Sequence, residues 1–66
     1  MQIINMNWLI VNKNGDEFIS DKKPIRYGFK GIWKTKGKLK YLPKGTIKKL
    51  IGKELTWEDE PVEIRN

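Results

Sequence analysis

Residues 7–13 (NWLIVNK) form an unbroken run rich in β-formers, and Asn14-Gly15 follows at once, ahead of DEFIS. Asn-Gly between two such runs is the strongest short signal for a β-hairpin, because a type I′ turn needs positive φ at both central positions. With a two-residue loop, Lys13 faces Asp16, Val11 faces Phe18 and Ile10 faces Ile19. Both faces of that pair are apolar, so the hairpin is expected to sit centrally in a barrel or sandwich.

The rest of the chain reads as short strands punctuated by glycine and proline. Residues 21–26 (DKKPIR) are a loop, because Pro24 cannot donate to a ladder. Residues 27–34 (YGFKGIWK) read as one long strand, with Gly28 and Gly31 marking a bulge or a barrel corner. A three-residue loop, Thr35-Lys36-Gly37, then returns the chain into KLKYL, with Gly37 supplying the left-handed position of a G1 bulge. In that register Lys34 faces Lys38, Trp33 faces Leu39, Ile32 faces Lys40 and Gly31 faces Tyr41. Tyr27, Phe29, Trp33, Leu39 and Tyr41 share one face, and Lys30, Lys34, Lys38 and Lys40 share the other. Tyr41 over Gly31 would cover a bare glycine position, which is a structural device.

Thr46 is placed to cap a short helical turn over 46–51, with Ile47, Leu50 and Ile51 on one face, Lys48 and Lys49 pointing away and Gly52 ending it. Residues 54–58 (ELTWE) alternate and read as the final strand. Pro61 demotes 59–66 to an acidic edge strand or tail, and residues 1–6 are an N-terminal extension or an extra strand. Met6 is an alternative start.

The predicted class is therefore all-β, a small five-stranded barrel with one helical turn before the last strand. Over roughly residues 7–58 this order of elements resembles the SH3-like small barrel. The acidic-aromatic loop signature of the peptide-binding SH3 family is absent, so the resemblance carries no activity. An OB-like barrel is the alternative, although there the helix falls earlier in the strand order.

Composition bounds what such a domain can do. The 66 residues make one domain that buries only ~60 % of its unfolded surface. Its stability is expected to be only a few kcal/mol, at ~0.05–0.15 kcal/mol per residue. The chain has no Cys, no His and no Ala, and Ser20 is its single serine. Disulfides, thiolate or imidazole metal sites and Ser–His or Cys–His nucleophiles are thereby excluded. No phosphate loop is present, since Gly28 and Gly31 lack a following helix and Lys44-Gly45-Thr46 has the wrong order. Clustered Glu58, Asp59 and Glu60 point in alternate directions on an extended chain, which argues against a metal site. The expectation is a non-enzymatic protein with no cofactor and no small-molecule substrate. The apolar N-terminus lacks the basic flank and cleavage site of a secretory signal and is too short to span a bilayer, so a cytoplasmic location with no membrane partner is expected.

Charge carries the functional reading. The net charge is +6, and no acidic residue lies between Asp21 and Glu54. Glu54, Glu58, Asp59, Glu60 and Glu63 follow with no base among them. Lysine dominates, with Arg26 and Arg65 the only arginines, so attraction to phosphates is expected without much reading of bases. The candidate anion-binding residues are Lys30, Lys34, Lys36, Lys38 and Lys40, supported by Lys48, Lys49 and Tyr27; Lys22, Lys23 and Arg26 in the loop are the fallback. Lys34 opposite Lys38 would cost a few tenths to ~1 kcal/mol, which an anionic partner would offset.

Against this stand a solvated lysine face and AT-rich coding, which gives Lys, Asn and Ile without function. The aromatic residues are expected mainly in the core, which a tiny domain needs large side chains to build. Exposed, they would stack on unpaired bases or cage a methylated ammonium. The final acidic segment is expected beside the lysine hairpin, partly neutralising it. Two functions follow. The first is a nucleic-acid-binding barrel contacting the DNA or RNA backbone with low sequence specificity. The second is a protein-interaction module or small inhibitor, of a kind a phage or mobile element would encode. It would dock its basic face or a strand edge on an acidic protein.

Overall fold

A computed structural model of the chain describes residues 6–65. The described residues form β1 (Met6–Val11), β2 (Glu17–Ser20), β3 (Ile25–Tyr27), β4 (Ile32–Lys34), β5 (Leu39–Leu42), α1 (Thr46–Ile51) and β6 (Val62–Arg65). The protein is mostly β, with antiparallel sheets and one short helix. Six strands stand where five were expected, divided between a sheet in the order β5-β2-β1-β6 and the separate pair β3-β4. With the β3-β4 pair set aside as an excursion, the larger sheet has the strand order of a Greek key. Of the extension or extra strand expected at residues 1–6, residues 1–5 lie outside the described residues, and Met6 belongs to β1.

β1 is central, as its two apolar faces require. Leu9 and Val11 point to one face and Ile10 to the other, and all three are buried. The first face is the core. Leu9 and Val11 cluster with Ile47 of α1, and Ile19, Leu42, Ile51, Leu55, Val62 and Ile64 pack around them. On the second face Ser20 is buried and its hydroxyl donates to Thr35 Oγ1 at 2.8 Å. That bond fastens the end of the β3-β4 pair to the sheet. The Trp33 indole N–H donates to the Val11 carbonyl at 3.0 Å and completes the attachment.

The first hairpin forms one residue out of the expected register. Val11 pairs with Glu17 and Ile10 with Phe18. The loop is Lys13-Asn14-Gly15, closed by Asn12 N–H to Asp16 O and Gly15 N–H to Asn12 O, both 2.9 Å. Gly15 has φ 93° and no non-glycine residue among the described residues has positive φ, so this is a type I turn with a G1 bulge and not a type I′ turn. Local side chains favour it: Asn14 Oδ1 accepts from Asp16 N–H, and Asn14 Nδ2 donates to Asp16 Oδ2, each at 3.0 Å. The slip sends Phe18 to the face opposite the core.

The second expected hairpin does not form. β4 pairs with β3, and β5 pairs with β2. Lys34 therefore faces Ile25, Ile32 faces Tyr27, Leu39 faces Ser20, Lys40 faces Ile19 and Tyr41 faces Phe18. The expected strand over 27–34 is broken by a turn, with Lys30 N–H to Tyr27 O at 3.1 Å and Gly31 N–H to Gly28 O at 3.2 Å. This arrangement removes the Lys34–Lys38 repulsion. Lys38 instead receives Asp21, whose Oδ1 accepts its N–H at 2.7 Å. Gly37 is not left-handed; a side chain there would meet Asp21 Oδ1 and Lys22 Cγ, so its requirement is close approach.

The helix differs in its start. Gly45, at φ 93°, occupies the N-cap, and Thr46 is the first helical residue. The orphan N–H groups go to Glu17, whose Oε2 accepts from Gly45 at 2.7 Å and Oε1 from Ile47 at 2.8 Å. Gly52 ends the helix at φ 79° as expected, but Leu50 is exposed and leaves only Ile47 and Ile51 on the core. Residues 54–58 form no strand; the last strand is β6, at the edge of the sheet beside β1.

Gly31 joins the two hairpin tips. It is left-handed at φ 68°, its carbonyl accepts from Lys13 N–H at 2.9 Å, and a Cβ there would lie 2.9 Å from Lys13 Cβ. Gly31→Ala is expected to cost about 1–2 kcal/mol from conformation alone, read as a lower midpoint in urea unfolding. An unchanged midpoint would contradict the docking of the two tips.

Candidate nucleic-acid interface

The β3-β4 pair has two chemically opposite faces. Arg26 and Trp33 pair on the inner face, and Ile25, Lys34, Tyr27 and Ile32 share the outer one. Trp33 is buried, whereas Ile25 and Phe29 are 68 % and 90 % exposed.

On the inner face the Trp33 and Trp57 indoles meet edge to face with centres 5.6 Å apart, and the Arg26 guanidinium lies against both, 4.5 Å from the Trp33 ring centre and 4.7 Å from that of Trp57. It donates from Nη1 to the Trp57 carbonyl and from Nη2 to the Asp59 carbonyl at 3.1 Å and Glu60 Oε2 at 3.2 Å. Arginine suits this position because a planar cation both stacks on rings and forks across several acceptors. Both terminal nitrogens of Arg26, the fallback anion contact, are thus turned to the acidic segment on the inner face.

On the outer face lysine and aromatic groups meet. Lys34 Nζ stands 4.1 Å from the Tyr27 ring centre. Tyr27 and Phe29 contact edge to face, with centres 6.4 Å apart. Beside them lies an open hollow of about 550 Å³ lined by Lys22, Lys23, Ile25, Lys34, Thr35 and Lys36. Among the described residues the ion pairs are Arg26–Glu60 at 3.2 Å and Arg65–Glu63 at 3.7 Å, and no lysine takes part in either. The acidic segment thus meets Arg26 and not the lysines it was expected to neutralise. Asp59 is also occupied locally, accepting from Thr56 N–H at 2.8 Å and Thr56 Oγ1 at 3.2 Å.

The predicted site residues are divided by this geometry. Lys34, Lys36 and Tyr27 come together, and Lys30 sits in the turn beside Phe29. Lys38 and Lys40 fall on or beside β5, in the other sheet. Lys48 and Lys49 are exposed on α1; Lys48 lines a separate hollow with Glu17, Lys44 and Glu54. The sequence reading missed Ile25, placed in a loop, and Phe29, assigned to the core. It also misplaced Tyr41, which is exposed against Phe18 on the sheet. The usable signal for Phe29 was its flanks: glycines at 28 and 31 bracket a turn, and turn tips are exposed. Comparison of the chain with family models, with curated proteins and with solved structures finds no match.

Arg26→Lys is expected to lower stability by about 1–3 kcal/mol, because an ammonium stacks less well and reaches fewer carbonyls. Lys34→Ala, on the exposed face, is expected within ~0.5 kcal/mol of the parent. Equal urea midpoints for the two variants would refute the structural role given to Arg26.

Proposed function

We propose that this protein is a non-enzymatic nucleic-acid-binding domain. It holds phosphates on lysine ammonium groups with little sequence selectivity and acts in the cytoplasm. The observation that carries this reading is the group Lys22, Lys23, Lys34 and Lys36 around one open hollow, with no lysine in an ion pair among the described residues. Each lysine set on a phosphate releases condensed counterions, which supplies affinity independent of sequence. Lys30 extends the site along the turn, and Lys38, Lys40, Lys48 and Lys49 lie on other elements as supporting charge. The accompanying fold reading is a small SH3-like barrel with β3-β4 as its flap. It is supported by the helical turn that precedes the last strand and by the pairing of the last strand with the first. Among the described residues no helix is long and apolar enough to cross a membrane.

The test is fluorescence anisotropy with labelled DNA and RNA across a salt series. Log affinity is expected to fall linearly with log salt, by about 0.7 per phosphate on single strands and about 0.9 on duplex. Lys34→Glu combined with Lys36→Glu is expected to weaken binding about tenfold or more at low salt while the unfolding midpoint is kept. Lys48→Glu with Lys49→Glu is expected to have a smaller effect. Absence of binding to either nucleic acid at low salt would overturn the reading. It would turn attention to an acidic protein docked on the same face or on the outermost strands β5 and β6.

A further inference from the structure

The lysines explain attraction to any polyanion, but they do not explain the apolar groups among them. Among the described residues Ile25 and Phe29 are the most exposed of the large hydrophobic side chains, and both belong to the outer side and tip of one hairpin. Tyr27 lies between them in the chain and touches Phe29. Ile25 and Tyr27 stand two residues apart on one strand face, about 7 Å along it.

A duplex gives such a row access to base faces only where base steps are unstacked, at a few kcal/mol per step. Its base faces are covered by stacking on neighbours, and its outer surface is phosphate and sugar. An unpaired strand offers bare base faces and the same phosphates. Platforms about 7 Å apart are spaced at roughly twice the 3.4 Å rise of a stacked strand, so successive bases must be splayed, which only an unpaired chain permits readily. Charge complementarity sets the register: Lys22, Lys23, Lys34 and Lys36 border the hollow floored by Ile25, and Lys30 adjoins Phe29. Lys34 Nζ lies over one face of the Tyr27 ring, so a base that stacks on that face takes the place of the ammonium, which then turns to the neighbouring phosphate.

We infer that the outer face of the β3-β4 hairpin is a binding site for unpaired nucleic acid. Bases rest on Phe29, Tyr27 and the Ile25 hollow, and the backbone runs along Lys22, Lys23, Lys30, Lys34 and Lys36. This inference rests on the nucleic-acid reading above and adds to it the strandedness of the ligand and the groups that take the bases.

The experiment compares labelled oligothymidine and oligouridine with a duplex of the same length, using the full chain and its Phe29→Leu and Phe29→Trp variants. Vesicles of phosphatidylcholine and phosphatidylglycerol in equal parts serve as a second polyanionic surface. Single strands are expected to bind more tightly than duplex. Phe29→Leu keeps an apolar side chain but loses the ring, and is expected to weaken single-strand binding about 5- to 100-fold while leaving duplex binding unchanged. Phe29→Trp is expected to bind within about twofold of the parent. Equal affinity for duplex and single strand, or a Phe29→Leu variant that binds single strands as the parent does, would overturn this inference and leave the phosphate reading standing. No binding to any oligonucleotide at low salt would overturn both. Preferential capture on the vesicles, retained by Phe29→Leu, would assign the hairpin to a lipid surface and also overturn the inference. The strandedness comparison uses the parent protein, so it decides the question even if a variant folds poorly.

Discussion

The Arg26 guanidinium lies against the edge-to-face pair of Trp33 and Trp57, and this contact ties the β3-β4 hairpin to the segment that precedes the last strand. Arg26 donates to the carbonyls of Trp57 and Asp59 and to the Glu60 carboxylate. Carbonyls turned toward a guanidinium are not aimed at a neighbouring strand, which accounts for the missing ladder over 54–58 and for the displacement of the final strand to Val62–Arg65. The same clasp decides the electrostatics of the surface. Arg26 and Lys34 point to opposite faces of one hairpin, so the carboxylate of Glu60 is drawn to the inner face. In a domain expected to have only a few kcal/mol of stability, one half-buried cation resting against two indoles is a substantial share of the total.

The exchange of strand partners has an equally local origin. A hairpin between 27–34 and 38–42 sets Lys34 against Lys38 and leaves the Trp33 N–H of the indole without a defined acceptor. The observed pairing gives Lys34 an apolar neighbour and brings Asp21 to the Lys38 amide. It also lets the Trp33 indole reach the Val11 carbonyl. Gly31 makes this possible, since only a residue without Cβ can turn left-handed against Lys13. The two glycines read as a bulge or a barrel corner lie in a turn between two strands.

What was legible in the residues was whatever depends on near neighbours. The central hairpin of two apolar runs, the Gly52 stop and the edge position after Pro61 all follow from patterns spanning a few residues. What was not legible depends on partners far along the chain. Glu17 caps a helix 28 to 30 residues later, and Arg26 meets carbonyls 31 to 33 residues on. Gly37 reads as a turn glycine until Asp21 is seen beside it. The register of the first hairpin failed for a smaller reason. Asn-Gly fits both a two-residue type I′ loop and a three-residue loop with glycine in the bulge, and only the Asn14–Asp16 bonds separate them. Of the residues expected to bind an anion, Lys34, Lys36 and Tyr27 were singled out by charge and ring type, which are properties of single residues, and the structure brings them near one another. Phe29 was missed because its exposure is a property of the turn.

A lysine-rich surface by itself argues for nothing beyond solubility, and AT-rich coding supplies lysine and isoleucine in abundance. Neither accounts for where the rings are. A small domain short of core material has every reason to bury its aromatic side chains, yet Phe29 is 90 % exposed while Trp33, on the same hairpin, is 5 % exposed. A single exposed ring needs no explanation, but Phe29 is not single: it meets Tyr27 edge to face, with exposed Ile25 on the same hairpin. The position of Phe29 beside Tyr27, Lys30 and Lys34, with the acidic segment held on the far face, is the observation on which the proposed binding surface rests.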